Sequence, residues 1–197
     1  MRELPLDLVL SLGRVLFSTS LSFGLGTALA YGCHKSALLR HLLTPPVNFL
    51  RHISPFCWLP LIIMAAGIGE ISVLLVLLLA MLFNAVVIGI GIFESLPRDI
   101  RDTAALDGAR GWGLLRDIEL PLLKGELIGL FRILWSVGWT ALIAAEMLGV
   151  KSGLGYRLLD FRYLLRYREM LAYIALIGGI GLLADYLLLA WRRRSLR

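Results

Sequence analysis

Charge is what this sequence has least of. Only 17% of its 197 residues are Asp, Glu, Lys or Arg, against roughly a quarter in an ordinary soluble domain. Hydrophobic residues make up 58%, and the mean hydropathy is +0.80. Such a chain folded in water would leave large apolar patches exposed, which excludes a typical soluble domain and makes lipid its solvent. Cysteine is scarce too. Cys33 and Cys57 lie in or beside apolar runs without metal-ligand spacing, so each reads as a buried free thiol. No G-x-x-x-x-G-K-[ST] phosphate loop occurs, and the glycine-rich GGIG at 178–181 sits inside an apolar run, so ATP hydrolysis is not expected on this chain. The opening MRELPLDLVLSLGR carries acids in its apolar stretch and lacks a cleavage pattern, which argues against a signal peptide. The net charge of +6 points to cations flanking membrane spans rather than to nucleic acid.

What is present is a series of apolar runs. A span needs about 17–25 mainly apolar residues. Five segments qualify: 15–33, 53–69, 71–93, 127–150 and 170–191. The first is uncharged and rich in small residues suited to close helix packing. The second contains Pro55 and Pro60, which free backbone carbonyls that neighbours must satisfy. The expectation is an all-α membrane protein with about five transmembrane helices.

Orientation follows the Lys and Arg count. Arg192, Arg193, Arg194 and Arg197 follow the last span and place the C-terminus in the cytoplasm. Counting back puts 94–124 and 34–52 inside and the N-terminus outside. One external loop, KSGLGYRLLDFRYLLRYRE, is basic against that rule, with Lys151, Arg157, Arg162, Arg166 and Arg168. His34, His41 and His52 read as interfacial residues of an inner loop rather than as metal ligands.

Charged residues inside spans are costly and mark sites or structural pairs. Glu146 reads either as a pathway or gate residue or as half of a structural pair, with Arg132 or with a basic group of the external loop. Arg132 reads as snorkelling or paired with Glu126, and Asp185 as structural. Ser136, Trp139 and Thr140, with Trp135, are candidates to line a pathway, although aromatic spacing of this kind also serves helix packing. Ser18, Ser20 and Ser22 have no histidine inside any span, which removes the base an intramembrane hydrolase needs.

One segment interrupts the apolar pattern: LPRDIRDTAALDGARGWGLLRDIELPLL, residues 96–123. Ser95 and Pro97 suit a helix start. Residues 98–107 are helix-compatible, Ala104 and Gly108 share a face, and Gly108 can break the helix. A second short helix is expected from about Arg110 to Glu119, with Pro121 setting its limit. The result is a small-faced elbow with a charged rim.

This stretch resembles the EAA loop of bacterial ABC-transporter permeases of the binding-protein-dependent import class. Asp102, Thr103 and Ala104 occupy the E-A-A positions; Ala105, Leu106 and Asp107 precede Gly108, and nine residues later come Ile118, Glu119, Leu120 and Pro121. Asp102 is shorter than the family's Glu, and Thr103 replaces its first Ala. SLGRVLFSTSLSFGLGTALAYG, PPVNFLRHISPFCWLPLIIMAAGIGE and WTALIAAEMLGVKSGLGYRLLDF resemble permeases for sulfonates, taurine, nitrate and bicarbonate, with thiamine-precursor importers nearby. Members of that subgroup usually carry one more helix before the segment where this chain begins.

The resemblance implies a type I ABC importer permease (MetI-like) fold. It forms a single permease domain over 1–197, in the bacterial plasma (inner) membrane, with a cytoplasmic coupling loop at 94–124. It implies that Asp102, Thr103, Ala104, Ala105, Leu106, Asp107, Gly108, Ala109 and Pro121 engage an ATP-binding subunit. Two permease copies, most simply a homodimer, would form the pathway with two such subunits. ATP and Mg would then sit on those partners, with no cofactor or metal on this chain. Arg157, Arg162, Arg166 and Arg168 would either dock an extracytoplasmic solute-binding protein or attract an anionic solute. A stand-alone channel or scaffold is the rival reading, and it leaves the elbow unexplained.

Overall fold

The computed structural model describes residues 4–97 and 112–195, and these are helical with no strand among them. α1 spans Leu4–Lys35, α2 Ala37–Leu50, α3 Leu59–Ala66 and α4 Glu70–Glu94. A helical turn at Trp112–Leu114 and a π-helical turn at Leu115–Glu119 lead into α5, Leu120–Gly149. α6, Leu154–Tyr163, and α7, Tyr167–Ser195, complete the order. Four described stretches are long and apolar enough to cross a membrane: Leu4–Lys35, Glu70–Glu94, Leu115–Gly149 and Tyr167–Ser195.

α1 shows how the sequence suits lipid. Its buried stripe is small or polar, with Ser11, Val15, Ser18, Ser22, Gly26 and Ala30 recurring at three- and four-residue steps. Its outward face carries Leu16, Phe17, Leu21, Leu25 and Leu29. Large apolar side chains outside and small ones inside is the arrangement expected when helices associate by close packing rather than by hydrophobic exclusion. The approach to α4 is tight: a Cβ on Gly26 would stand 2.3 Å from the Ala85 Cβ, and one on Gly89 2.8 Å from the Ala30 Cβ. α5 enters the same junction through Gly138, against Met81 Sδ and Val15. Val15, Leu77, Met81, Leu134 and Leu142 form the centre of the core.

Ion pairs at the two ends fix the helix directions. Arg14 of α1 meets Glu70 at the start of α4 and Glu146 near the end of α5. Lys35 at the end of α1 meets Glu119 just before α5, and Arg40 meets Glu94 at the end of α4. α1 and α4 therefore run parallel and α5 runs against them. From Arg14 to Lys35 the rise is about 31 Å, close to the hydrocarbon thickness.

It follows that residues 36–69 return along the whole bundle, although no single helix carries them. The expected second span, 53–69, is a 3₁₀ turn at Pro55–Cys57 followed by the eight-residue α3. The punctuation explains this. Pro55 and Pro60 each open a new helical piece, and Gly67 at φ +77° closes α3. The return pass is thus α2, the 3₁₀ turn and α3 in series, and Cys57 within it is exposed rather than buried, whereas Cys33 is buried as expected.

Ser95 closes α4, its hydroxyl donating back to Ile92 O at 2.8 Å; the helix expected to start after it, over 98–107, lies outside the described residues. One further expectation changes. Pro121 does not stop a helix, because it occupies the first turn of α5, where its missing N–H is tolerated. The preceding turn widens, with Leu120 N–H donating to Leu115 O. The ring thereby escapes the carbonyl clash that a proline imposes on a regular helix. Residues 102–109 lie outside the described residues.

Candidate functional site: charged clusters along the helix bundle

The first cluster lies where α1, α4, α5 and α6 meet. Glu146 has no exposed surface, and donors surround its carboxylate. Ser11 Oγ donates to Oε1 and Oε2 at 2.7 and 2.9 Å, Arg14 Nη1 donates to Oε1 at 2.6 Å, and Gly155 N donates to Oε2 at 2.9 Å. Arg14 is shared: Nε donates to Glu70 Oε2 at 2.7 Å, Nη2 meets the other Glu70 oxygen, and the fork also holds Ser152 through its carbonyl and hydroxyl at 3.0 and 2.7 Å. Asp7 accepts from Gly153 N at 3.0 Å and from Arg157 Nε at 3.0 Å.

The logic is that of a helix start capped from elsewhere. The first N–H groups of a helix have no partner within it and present a partial positive charge. At α6 those donors are Gly153, Leu154 and Gly155, and they reach Asp7, Ser11 Oγ at 3.0 Å and Glu146. Glycine is required there. Gly153 holds φ +100°, with Glu146 Cδ 2.5 Å from where a Cβ would stand, and a Cβ on Gly155 would lie 2.2 Å from Ile143 O. Glu146 therefore pairs with Arg14, not with Arg132. Of the basic residues between 151 and 169, Arg157 joins this cluster.

The second cluster is mid-span. Arg132 forms a two-pronged pair with Asp185 of α7, Nε to Oδ1 at 2.6 Å and Nη2 to Oδ2 at 2.7 Å. Arg132 neither snorkels nor pairs with Glu126; Glu126 instead faces Arg192, at 3.6 Å. Both pairs border a cavity of about 450 Å³ between α4, α5 and α7, closed on the apolar side by Ile88, Ile92 and Val137 and touched by Ser136.

The candidate pathway residues do not share one surface. Ser136 and Thr140 are exposed on one face of α5. Thr140 Oγ1 donates to Val137 O at 2.9 Å. Trp139 is buried, stacked on Trp135 at 6.2 Å between centroids, with its indole N–H on Ile177 O at 3.2 Å. Glu146 is remote from both, about 21 Å along α5 from Arg132. Arg162, Arg166 and Arg168 are exposed with Tyr163, Leu164 and Leu165 around the α6–α7 corner, where Arg166 pairs with Glu169.

Reasoning from sequence missed Asp7, Ser11, Arg14 and Glu70 as partners of Glu146. Their signal was position. Arg14 and Glu70 immediately precede apolar runs and Glu146 lies near the end of one, so topology alone sets all three at one membrane level.

Helices that turn small residues inward and set paired charges beside a mid-span cavity define a multi-pass, all-helical membrane protein. The chain belongs to the family described as binding-protein-dependent transport system inner membrane components, whose pattern matches residues 21–196. It is similar to the taurine transport system permease protein of Escherichia coli (strain K12), at 31% identity over 95% of this chain and 68% of that protein. An ABC transporter permease protein of Brucella melitensis biotype 1 is 30% identical, over 95% of this chain and 76% of its own length. The nitrate import permease protein of a Synechocystis strain is 26% identical, over 93% and 67%. The chain is accordingly a permease component of an ABC transporter.

Proposed function

We propose that this chain is the membrane-spanning subunit of an ATP-driven importer. In this reading 1–197 forms one permease domain, and two copies form the solute pathway. Two ATP-binding subunits dock on the 96–121 loop, through Asp102, Thr103, Ala104, Ala105, Leu106, Asp107, Gly108 and Ala109, with Pro121 at its exit. ATP and Mg act on those partners, and this chain carries no cofactor or metal. The C-terminus and the loop are cytoplasmic, and Arg157, Arg162, Arg166 and Arg168 lie on the side where a solute-binding protein docks. The solute is a small organic or inorganic anion of the sulfonate, nitrate or bicarbonate type. Ser136 and Thr140 line the pathway; Trp139 and Glu146 hold its walls from within.

The observation that carries this reading is the exit of the loop. Helix Leu115–Gly149 passes through the π turn and Pro121 without a break, and Lys35 Nζ holds Glu119 at 2.9 Å. A displacement of the loop therefore enters α5 and α1 together, which suits a two-state element biased by nucleotide from outside the membrane. The test is co-purification of the detergent-solubilised chain with its candidate ATP-binding subunit, wild type against Gly108→Arg. A complex formed by the wild type and lost in the variant supports the docking surface. Retention in the variant removes it, and no complex with wild type favours a channel or scaffold.

A further inference from the structure

A second cavity, an apolar groove of about 260 Å³, lies along the first half of α5. α5 lines it with Leu120, Leu127, Ile128 and Phe131, α1 adds Phe23 and α7 adds Trp191. Lys124 is the single charged residue in that lining. The α5 residues recur at three- and four-residue steps, so the groove follows one face of the helix for about 16 Å. That is close to half of the roughly 30 Å hydrocarbon thickness. Its depth follows from the ion pairs at the two ends of the bundle. Arg132 lies midway between Glu119, held by Lys35, and Glu146, held by Arg14. Phe131 therefore stands at mid-membrane, where its ring meets Phe23 edge to face at 5.6 Å between centroids. Lys124 lies about 12 Å along the helix from Arg132, at the border of hydrocarbon and headgroups. The groove thus covers one leaflet, from its headgroups to the ends of its tails.

The headgroup end of the groove carries uncompensated positive charge. Lys124 is exposed and has no ion-pair partner among the described residues, and the same holds for Arg193 and Arg194 at the end of α7. The carboxylates at this level face other cations: Glu126 faces Arg192, and Glu119 holds Lys35. Arg116 and Asp117, one turn before the groove, offset one another in charge. Trp191 is half exposed and immediately precedes the arginines. An indole at that depth sits where amphipathic rings meet headgroups.

We infer that this groove is a binding site for an anionic phospholipid, with an acyl chain along 120–131 and the phosphate at Lys124 beside Arg193 and Arg194. A helix of a second chain needs a face that continues across the bilayer, whereas this groove ends at the Phe23–Phe131 contact, where an acyl chain also ends. Unpaired cations at the membrane surface attract anionic headgroups. A zwitterionic headgroup carries its own cation and gains less from Lys124. An acyl chain seated in the groove touches α1, α5 and α7 at once, so the lipid joins three helices at the end where Lys35 meets Glu119. The site does not depend on docking of the 96–121 loop.

The test is photolabelling of the full chain in phosphatidylcholine nanodiscs that contain a trace of phosphatidylglycerol with a diazirine on its acyl chain. The label is mapped by peptide mass spectrometry. The expected result is enrichment in 120–131 over the other lipid-facing stretches, such as those holding Leu16 and Leu182. Excess unlabelled phosphatidylglycerol should reduce that enrichment about tenfold, and added phosphatidylcholine should not. Lys124→Gln should lower it about fivefold, the factor that one cation near an anionic surface contributes. Lys124 is exposed and unpaired, so this variant keeps the fold. Lys151→Gln removes the same charge at the opposite end of the bundle and should leave the enrichment unchanged. Label spread evenly over the lipid-facing stretches or absent from 120–131 would overturn the inference. So would competition by phosphatidylcholine equal to that by phosphatidylglycerol, soluble glycerol 3-phosphate competing as well as the lipid, or Lys124→Gln labelling like wild type. Co-purification with the ATP-binding subunit is scored separately, so loss of the importer reading and loss of this site are distinguishable.

Discussion

Lys35 and Glu119, 84 residues apart in sequence, meet at 2.9 Å at the point where the chain re-enters the bundle. Glu119 is fully buried, while Lys35 is one-third exposed and lies over the Tyr31 ring. The pair joins the last turn of α1 to the π turn ahead of α5. Because α1 runs from this joint to Arg14, one continuous helix links the loop end of the molecule to the Glu146 cluster about 31 Å away.

The joint predicts a coupling energy. Lys35→Met leaves a buried carboxylate short of its cation, and Glu119→Gln removes the charge that Lys35 serves. A double-mutant cycle on thermal unfolding in detergent should give an interaction of about 1–3 kcal/mol. An additive cycle would mean that the contact does not hold the two elements together. Transport in the paired variant Lys35→Met/Glu119→Gln should fall more than stability does, since the substitution loosens transmission rather than the core.

The Arg14 cluster predicts an order among carboxylates. Glu146 is enclosed and Glu70 is more than half exposed, though both face the same guanidinium. Removing one partner of a buried pair costs about 3–5 kcal/mol, whereas exposed pairs contribute about 0–1 kcal/mol. Glu146→Gln should therefore lower the melting temperature far more than Glu70→Gln. Arg14→Lys should rescue little of an Arg14→Gln loss, because one ammonium cannot reproduce a fork shared among Glu70, Glu146 and Ser152. Equal losses for the two Glu variants would refute the assignment.

Parts of this were legible in the sequence. The run 71–93 became α4 almost to the residue, since nothing in it punctuates a helix. The small-residue run beginning at Val15 announced the close contact that Gly26 makes with Ala85. Prolines misled in two ways, because their effect depends on position. Pro121 falls in a first turn and is tolerated, whereas Pro55 and Pro60 divide a segment whose composition resembles a span. Charge pairing was the least legible. Arg132 has Glu126 nearby on its own helix, yet Asp185 is its partner because α7 packs antiparallel to α5. No local pattern encodes that adjacency. The family resemblance supplied the reading of the loop, which residue types alone left half open.

Glycines give an internally controlled prediction. Gly153→Ala forces a side chain into positive φ and against Glu146, and Gly155→Ala meets a backbone carbonyl that cannot move aside. Both should destabilise strongly and release the start of α6, read as faster proteolysis between 150 and 165. Gly178→Ala and Gly179→Ala have open space around the new methyl and should change stability by no more than about 1 kcal/mol. If all four behave alike, the α6 start is not held as described.

The direction of residues 36–69 is open to direct measurement. The ion pairs set Lys35 and Glu70 at opposite ends of the bundle, so the chain between them crosses despite its broken helices. In a background with Cys33 and Cys57 replaced by serine, single cysteines are placed at Ser36 and Gly69. An impermeant maleimide applied to intact cells should label Gly69→Cys, and Ser36→Cys should react only after the membrane is opened. With Ser36 inside, α4 ends inside too, and the 96–121 loop is on the side where an ATP-binding subunit can reach it. Labelling of both cysteines from the same side would mean that α2 and α3 do not cross. Helix directions set by Arg14 and Lys35 would then be wrong, and the proposed docking of the loop would fail with them.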